Sequence, residues 1–384
     1  PVRVTTVGGT SAAFGISLTS ITSSLGSGTP ANGGVAAANA GQGITLNGSG
    51  LDSTTDVVFQ ITDAAGTVGD IIVRATAVNA PGTQLQVAVP INAISGVVRV
   101  VGSSDAIGLQ ILPTITDVQV ESVAADGSTA TLLIAGTGFV EGNNSEYRVG
   151  SLTLIDAGTG TGADVLGRSD ATLGFIANGF VRVTVPVSNG VFGAISIKTA
   201  GGVSASYTTS LAAISAVALS GTAADAGQAS ANAGQAVTLV GTGLTTSTDV
   251  LLRWTDINGT LQVIQRSPST AAVDGTSATL LLPRDVNGAF NLQVFGSASQ
   301  PLLQIVPTLT SFDIQSPTIL FGSGFVEGGG TYSFAGATLT DTPADINSTI
   351  DVYYNTDFTA QNGSVHVHRT ALPEHGLGTV TVTT

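Results

Sequence analysis

Ala38-Asn39-Ala40-Gly41-Gln42-Gly43-Ile44-Thr45-Leu46 returns as Ala231-Asn232-Ala233-Gly234-Gln235-Ala236-Val237-Thr238-Leu239, a spacing of 231 − 38 = 193 residues. The same register carries Thr55-Asp56-Val57 to Thr248-Asp249-Val250, and Thr6-Val7-Gly8-Gly9 to Thr199-Ala200-Gly201-Gly202. Leu109-Gln110-Ile111-Leu112-Pro113-Thr114 recurs as Leu303-Gln304-Ile305-Val306-Pro307-Thr308, and Gly136-Thr137-Gly138-Phe139-Val140-Glu141-Gly142 as Gly322-Ser323-Gly324-Phe325-Val326-Glu327-Gly328. Repetition over this length marks arrays that span distance or tile a surface more often than enzymes. It points to a structural role before any motif is considered.

The local pattern is strand, tight turn, strand. Val57, Phe59 and Ile61 alternate with Val58, Gln60 and Thr62, the period of a strand with one buried face. The second copy keeps the phase: Val250, Leu252 and Trp254 are expected inside, Asp249, Leu251 and Arg253 outside. Asn258-Gly259 follows as a hairpin turn, since both residues tolerate positive φ. Leu85, Val87 and Val89 form a strand stopped by Pro90, repeated by Leu280, Leu282 and Pro283, and Phe290, Leu292 and Val294 alternate after Asn287-Gly288. No window holds a helical period over three turns. Turn signals arrive roughly every 8–12 residues, as in an all-β sandwich.

A chain of 384 residues suits three or four domains. It has 50 Gly, 42% hydrophobic and only 9% charged residues, so disorder is disfavoured and the core must be ample but built from small side chains. Lys+Arg 11 against Asp+Glu 25 gives 11 − 25 = −14, which repels phosphate backbones and anionic lipid; nucleic acid is not expected as a partner. No stretch approaches the ~18–20 apolar residues that span a bilayer, so membrane insertion is not expected either. The chain opens at Pro1 without an initiator Met or signal-like segment, and reads as a processed or excised piece. Cys and Met are both missing; this leaves the compartment open but suits long exposure outside a cell.

Each repeat divides in two. The first half holds Ala-Gly-Gln followed by Gly48-Ser49-Gly50-Leu51, and the second holds Gly-Thr-Gly-Phe-Val-Glu-Gly. The boundaries follow as 1–20 (closing strands of a preceding or partner domain), 21–113 (type A), 114–211 (type B), 212–307 (type A) and 308–384 (type B without its last strand). At ~95 residues each half can hold one seven-stranded sandwich. Ile44-Thr45-Leu46-Asn47-Gly48-Ser49-Gly50-Leu51, then a Pro-ended strand, then Gly96-Val97-Val98-Arg99-Val100, resembles the IPT/TIG-type immunoglobulin-like domains. So does Leu132-Leu133-Ile134-Ala135-Gly136-Thr137-Gly138-Phe139, followed by Val185-Pro186 and Gly201-Gly202-Val203-Ser204. The resemblance implies tandem β-sandwiches in an extended array, of the kind found in large bacterial surface and adhesin-like proteins.

Both ends fall out of phase with the domains. Val2-Arg3-Val4-Thr5-Thr6 matches Val380-Thr381-Val382-Thr383-Thr384 as well as Ile195-Ser196-Ile197-Lys198-Thr199. Gly8-Gly9-Thr10-Ser11-Ala12-Ala13-Phe14 matches the closing segment Gly201 to Tyr207, for which the last domain offers no counterpart. Three explanations stand open: a window on a longer covalent array, head-to-tail strand complementation between chains, or an accidental boundary.

Chemical constellations are few. His366 and His368 are two apart on one strand face, a feasible metal-ligand spacing to which Glu374 and His375 could add. Arg182 and Thr184 hold the matching positions in the earlier copy, which argues for exposed strand positions. Calcium suits Asp63 and Asp256 at hairpins, or the loop with Glu141, Asn143, Asn144 and Glu146; yet turn Asp and Asn usually bond their own backbone. Gly241-Thr242-Gly243 lacks the helix a dinucleotide site needs, and Gly48-Ser49-Gly50 and Gly322-Ser323-Gly324 read as turns. Tyr353-Tyr354 is a poor glycan platform because a strand exposes one of two neighbours, and four Asn sequons fit chance in this composition. No catalytic or cofactor-binding residue is nominated, and the metal assignment stays open. The expectation is a non-enzymatic structural repeat of an extracellular fibre, stalk or surface layer whose partners are copies of itself. The alternative is an adhesin module binding cell-surface glycan or protein through its loops.

Overall fold

The structure, a computed structural model, describes residues 3–12, 15–158, 162–188, 190–314, 317–334, 337–342, 349–356, 359–368 and 379–384. Among them there are strands, turns and bends and no helix. The chain divides into two compact units: Pro1–Glu121 with Thr131–Val185 and Ala194–Tyr207, and Ser122–Ala130 with Pro186–Gly193 and Thr208–Thr384.

In the first unit, one sheet has the order Ser17–Thr22, Gly43–Ser49, Gln84–Ala88, Ala77–Val78, and a second the order Ala36–Asn39, Ala106–Leu112, Gly96–Val100, Asp56–Thr62, Val68–Arg74. Leu18, Leu46 and Leu85 from the first sheet share a core cluster with Phe59, Val98 and Ile111 from the second, which makes the pair a sandwich. Burying each such side chain contributes about 1.5–3 kcal/mol. The alternation read from the sequence holds for Leu85, Val87 and Val89, all buried, and for Val57 and Phe59. It fails at the strand's end, where Thr62 is buried and Ile61 half-buried. The Thr62 hydroxyl turns back onto the carbonyls of Asp63 and Thr67, so burial leaves it partnered. Leu18 sits in this core, so the sandwich starts before residue 21.

Ala36–Asn39 runs parallel to Ala106–Leu112, with Ala38 opposite Ile111. The turn after it is held by side chains: Asn39 accepts from the Ser27 amide (2.9 Å) and donates to the carbonyls of Ser27 and Leu112. The Gln42 side chain accepts from the Asn39 amide. This is the physical content of the repeated Asn-Ala-Gly-Gln block. The 4-stranded sheet Thr114–Val123, Thr129–Thr137, Gly174–Pro186, Ala163–Asp170 follows, together with Leu152–Ile155, Glu146–Val149, Ile195–Thr199, Gly202–Val203.

The second unit repeats the scheme. Ser210–Ser215, Ala236–Thr242, Ser277–Leu281 and Thr270–Ala271 form one sheet; Ala229–Ala231 pairs parallel with Leu302–Ile305, and Val250–Thr255 pairs with Leu261–Arg266 and Gln293–Val294. Trp254 lies in the core with Leu239, Leu280 and Leu292, as its phase predicts. Leu251 and Asp249, expected outside, are buried as well, so this strand is covered on both faces. Asp249 tolerates burial because Gln265 (2.7 Å) and Ser267 (3.1 Å) donate to its carboxylate. A last core gathers Leu320, Phe325, Tyr332, Phe334, Val352 and Val365 between the sheets Thr308–Asp313, Thr318–Ser323, Ser364–Val367, Ile350–Tyr353 and Ala337–Thr340, Thr331–Phe334, Val380–Thr383.

Candidate functional site

The features with the most specific geometry are joints between successive sandwiches within a unit. In the first unit, Thr29–Pro30 of the first sandwich adds an edge strand to the sheet of the second, with Gly202 opposite Pro30 and Val203 opposite Thr29. The Ala31 amide donates to the Gly201 carbonyl at 3.1 Å. Glycine is required here. A Cβ on Gly201 would lie 2.0 Å from the Ile111 carbonyl oxygen and 2.4 Å from Ser95 Oγ, and Gly202 has φ +140 with its Cβ position 2.2 Å from the Thr29 oxygen. Asn92 Oδ1 accepts from the Ala177 amide at 3.0 Å, and the next residue, Asn178, donates to the Phe139 carbonyl at 2.8 Å.

The second unit repeats the Asn92–Ala177 bond at matching positions and adds others of its own. Asp285 Oδ1 accepts from the Gln361 amide at 2.6 Å, and Asn362 donates to the Thr255 carbonyl at 2.8 Å. Asn287 adds a bond to the Phe325 carbonyl at 2.8 Å while also accepting from the Thr255 amide and donating to its carbonyl. Asn362 is buried and adopts φ 54, a backbone that asparagine accepts better than other residues with a side chain. Such bonds, made between buried amides and carbonyls, fix orientation as well as adding about 0.5–1.5 kcal/mol each.

A second feature, not read from the sequence, is a buried acidic cluster in each type B sandwich. Glu141 and Asp156 are buried beside Tyr147; Asp156 accepts from the amides of Gly142 (2.8 Å) and Gly158 (2.9 Å), and Glu141 accepts from Val165 (2.8 Å). Glu327, Asp341 and Tyr332 repeat it, with Gly328 donating to Asp341 at 2.8 Å and Val352 to Glu327 at 3.3 Å. Burial first, and then the charges of Asp156 and Asp164, raises the Glu141 pKa. For Glu327, burial followed by the charges of Asp341 and Asp351 pushes the carboxyl up to about 7. Both tyrosines are raised, chiefly by burial. The sequence signal was present in the recurring Phe-Val-Glu-Gly and the Asp that follows at 156 − 141 = 15 and 341 − 327 = 14 residues. It was missed because Glu and Asp beside turn glycines read as exposed.

The loop residues singled out for calcium separate. Glu141 points inward, Asn143 and Asn144 are exposed with φ 55 and 54, and Glu146 pairs with Arg148 and Lys198. Asp63 Oδ1 accepts from the amides of Ala65 and Thr67, and Asp256 Oδ1 from Asn258 and Thr260, so these carboxylates cap their own turns. No group of three or more His, Asp or Glu suited to a metal occurs among the described residues. His366 is half-buried, stacks on Tyr353 at 4.1 Å and lies opposite Asp351; its pKa is lowered, mainly by burial. His368 is exposed, and Glu374 and His375 lie outside the described residues. Val365 and Val367, the neighbours of His366, are buried, like Val181, Val183 and Val185 in the earlier copy, where Arg182 pairs with Glu121.

No family model and no curated protein matches the chain. Among solved structures it is similar to a tetra-tandem repeat in the extending region of a large adhesion protein (15% identity, 89% of this chain and 90% of that one, TM-score 0.16). Two others are SGBP-B from a xyloglucan utilization locus of Bacteroides uniformis (14%, 75% and 99%, TM-score 0.18) and a 1.5-MDa bacterial ice-binding adhesin (14%, 76% and 98%, TM-score 0.14). At such scores the overlap carries neither fold nor function to this chain.

Proposed function

We propose that the chain is a structural repeat segment of an extracellular bacterial fibre, stalk or surface layer, joined head to tail, covalently or by strand complementation, into a longer array. The observation that carries this reading is the recurring joint. In each unit an Asn or Asp of one sandwich clamps the amide preceding an Asn-Gly of the next, Asn92 on Ala177 and Asp285 on Gln361. Side chains devoted to fixing one sandwich on its neighbour serve a spacer that must transmit force or hold a lattice. The sheet orders support an immunoglobulin-like sandwich of the IPT/TIG type: Ser17–Thr22, Gly43–Ser49, Gln84–Ala88 and Ala77–Val78 share one sheet of the first sandwich, and a parallel edge strand flanks the other.

The competing function is glycan or protein adhesion through the loops. Binding of the purified chain to a polysaccharide panel separates the two. The spacer reading expects no saturable binding across the panel, and tight, saturable binding to one glycan class contradicts it.

A further inference from the structure

The sequence holds seven Asn-Gly steps, and the fold guards all but one of those among the described residues. Such a step is reactive because glycine has no side chain to shield its nitrogen from the asparagine carboxamide carbon. Attack needs that nitrogen free and the carboxamide in reach of water. At Asn47, Asn258 and Asn362 the following glycine amide is already bonded, to the carbonyls of Thr83 (2.9 Å), Asp256 (3.0 Å) and Tyr353 (3.0 Å). Asn178 and Asn287 are buried with their carboxamides donating to the carbonyls of Phe139 and Phe325, each at 2.8 Å.

Asn32-Gly33 is the exception. Both residues are exposed, and the Gly33 amide donates to no group among the described residues. The Asn32 carboxamide is held in one orientation, since its Oδ1 accepts from the Gly34 amide at 2.9 Å. A donor on that oxygen also stabilises the negative charge it would gain when the carboxamide carbon is attacked. The backbone around it is fixed by a buried side chain. Gln110 accepts from the Asn32 amide and donates to the Asn32 carbonyl, both at 2.8 Å, and the Val35 amide closes the turn on the same carbonyl at 3.2 Å.

The second repeat contains the same turn with the acid in place. At 32 + 193 = 225 stands Asp225, followed by Ala226 where the first repeat has Gly33. Its Oδ1 accepts from the Gly227 amide at 2.8 Å, its own amide donates to Gln304 at 2.9 Å, and its carbonyl accepts from Gln304 at 2.8 Å and from Gln228 at 3.2 Å. The turn therefore keeps every one of these bonds with a carboxylate at this position.

We propose that Asn32 is a self-modification site, converted by attack of the Gly33 nitrogen on its own carboxamide. The Gly33 nitrogen forms a bond to Asn32 Cγ and gives up its proton; the Cγ–Nδ2 bond breaks, and Nδ2 leaves with that proton as ammonia. Water then opens the cyclic imide at one of its two carbonyls, leaving an aspartate or an isoaspartate at position 32. The two products act differently on the joint, whose edge strand Thr29–Pro30 ends just before this turn. Aspartate retains the arrangement seen at Asp225. Isoaspartate adds a methylene to the backbone and moves the carbonyl held by Gln110 and Val35 out of the main chain, which loosens the anchor of that strand. The inference does not depend on the array reading above.

The test incubates the full folded chain at pH 8 and maps its peptides over time by mass spectrometry, with enzymatic methylation to count isoaspartate. Asn32 should convert at least tenfold faster than Asn47 or Asn258. Gly33→Ala should slow conversion at position 32 at least tenfold. This variant is expected to fold, because Gly33 avoids positive φ, nothing lies within 4 Å of its Cβ position, and the second repeat already carries alanine there. Asn32→Asp should keep the urea midpoint of the native chain, read by circular dichroism. Conversion at Asn47 or Asn258 ahead of Asn32, or an unchanged rate in Gly33→Ala, overturns the site, and a lowered midpoint in Asn32→Asp overturns the claim that the turn accepts the acid. The polysaccharide panel is independent of these outcomes and reports only on the spacer reading.

Discussion

Glu327 is the residue whose environment departs furthest from what its sequence context suggests. Its carboxyl titrates near 7 in the folded protein, against about 4.5 in the unfolded chain. The folded state therefore binds the proton more tightly, and stability should rise as pH falls from about 7 toward 4.5 and be lost as pH climbs through 7. Glu327→Gln is expected to flatten that dependence and to raise the urea midpoint at pH 8; a midpoint that falls, or keeps its pH slope, contradicts the assignment. Opposite behaviour is expected below ~4, where hydrogen bonds hold the pKa values of Asp52, Asp126 and Asp274 down and their contribution disappears on protonation. At the joint, Gly202→Ala should cost at least ~1–3 kcal/mol, because it combines an unfavourable backbone region with a contact 2.2 Å from the Thr29 oxygen. Chemical denaturation measures it, and a neutral result would mean that the edge pairing can be given up freely.

At the scale of elements, the repeated Asn-Ala-Gly-Gln turn acts as a pin between the start and the end of a type A sandwich. Asn232 donates to the carbonyls of Ser220 (2.9 Å) and Val306 (2.8 Å) and accepts from the Ser220 amide. Replacing it with alanine strands these groups and should cost about 1–3 kcal/mol. Trp254, the single tryptophan, reports on that sandwich. Asn232→Ala should move the fluorescence transition to lower urea. The equivalent Asn39→Ala should leave fluorescence unmoved while shifting the circular-dichroism transition; a common shift would show that the units unfold as one. Strand phase and turns were legible at this scale because alternation and glycine report local geometry, as at Leu85, Val87 and Val89. The parallel pairing of Ala36–Asn39 was not, since a short alanine run has no face. Leu251 and Thr62 were misplaced because alternation describes one covered face and says nothing of what lies over the other. The acidic clusters stayed hidden for a related reason: the amides that solvate Asp156 and Asp341 come from turn glycines, and sequence shows the glycine but not where its N–H points.

For the whole molecule, the repeat describes the architecture. Two type A sandwiches share one scheme, two type B sandwiches share another, and one bond between A and B is made twice from equivalent positions, Asn92 on Ala177 and Asp285 on Gln361. The net charge of −14 opposes association of copies at long range, so assembly of the purified chain, followed by light scattering, should be faster at 0.15 M salt than at 0.01 M, where the screening length grows from about 8 to 30 Å. A rate that falls with added salt would point to charge-driven contacts in place of strand pairing. The most direct test of the central claim is electron microscopy of the native material. The structural reading expects continuous fibres or an ordered layer with a regular subunit repeat, and dispersed globular particles would contradict it.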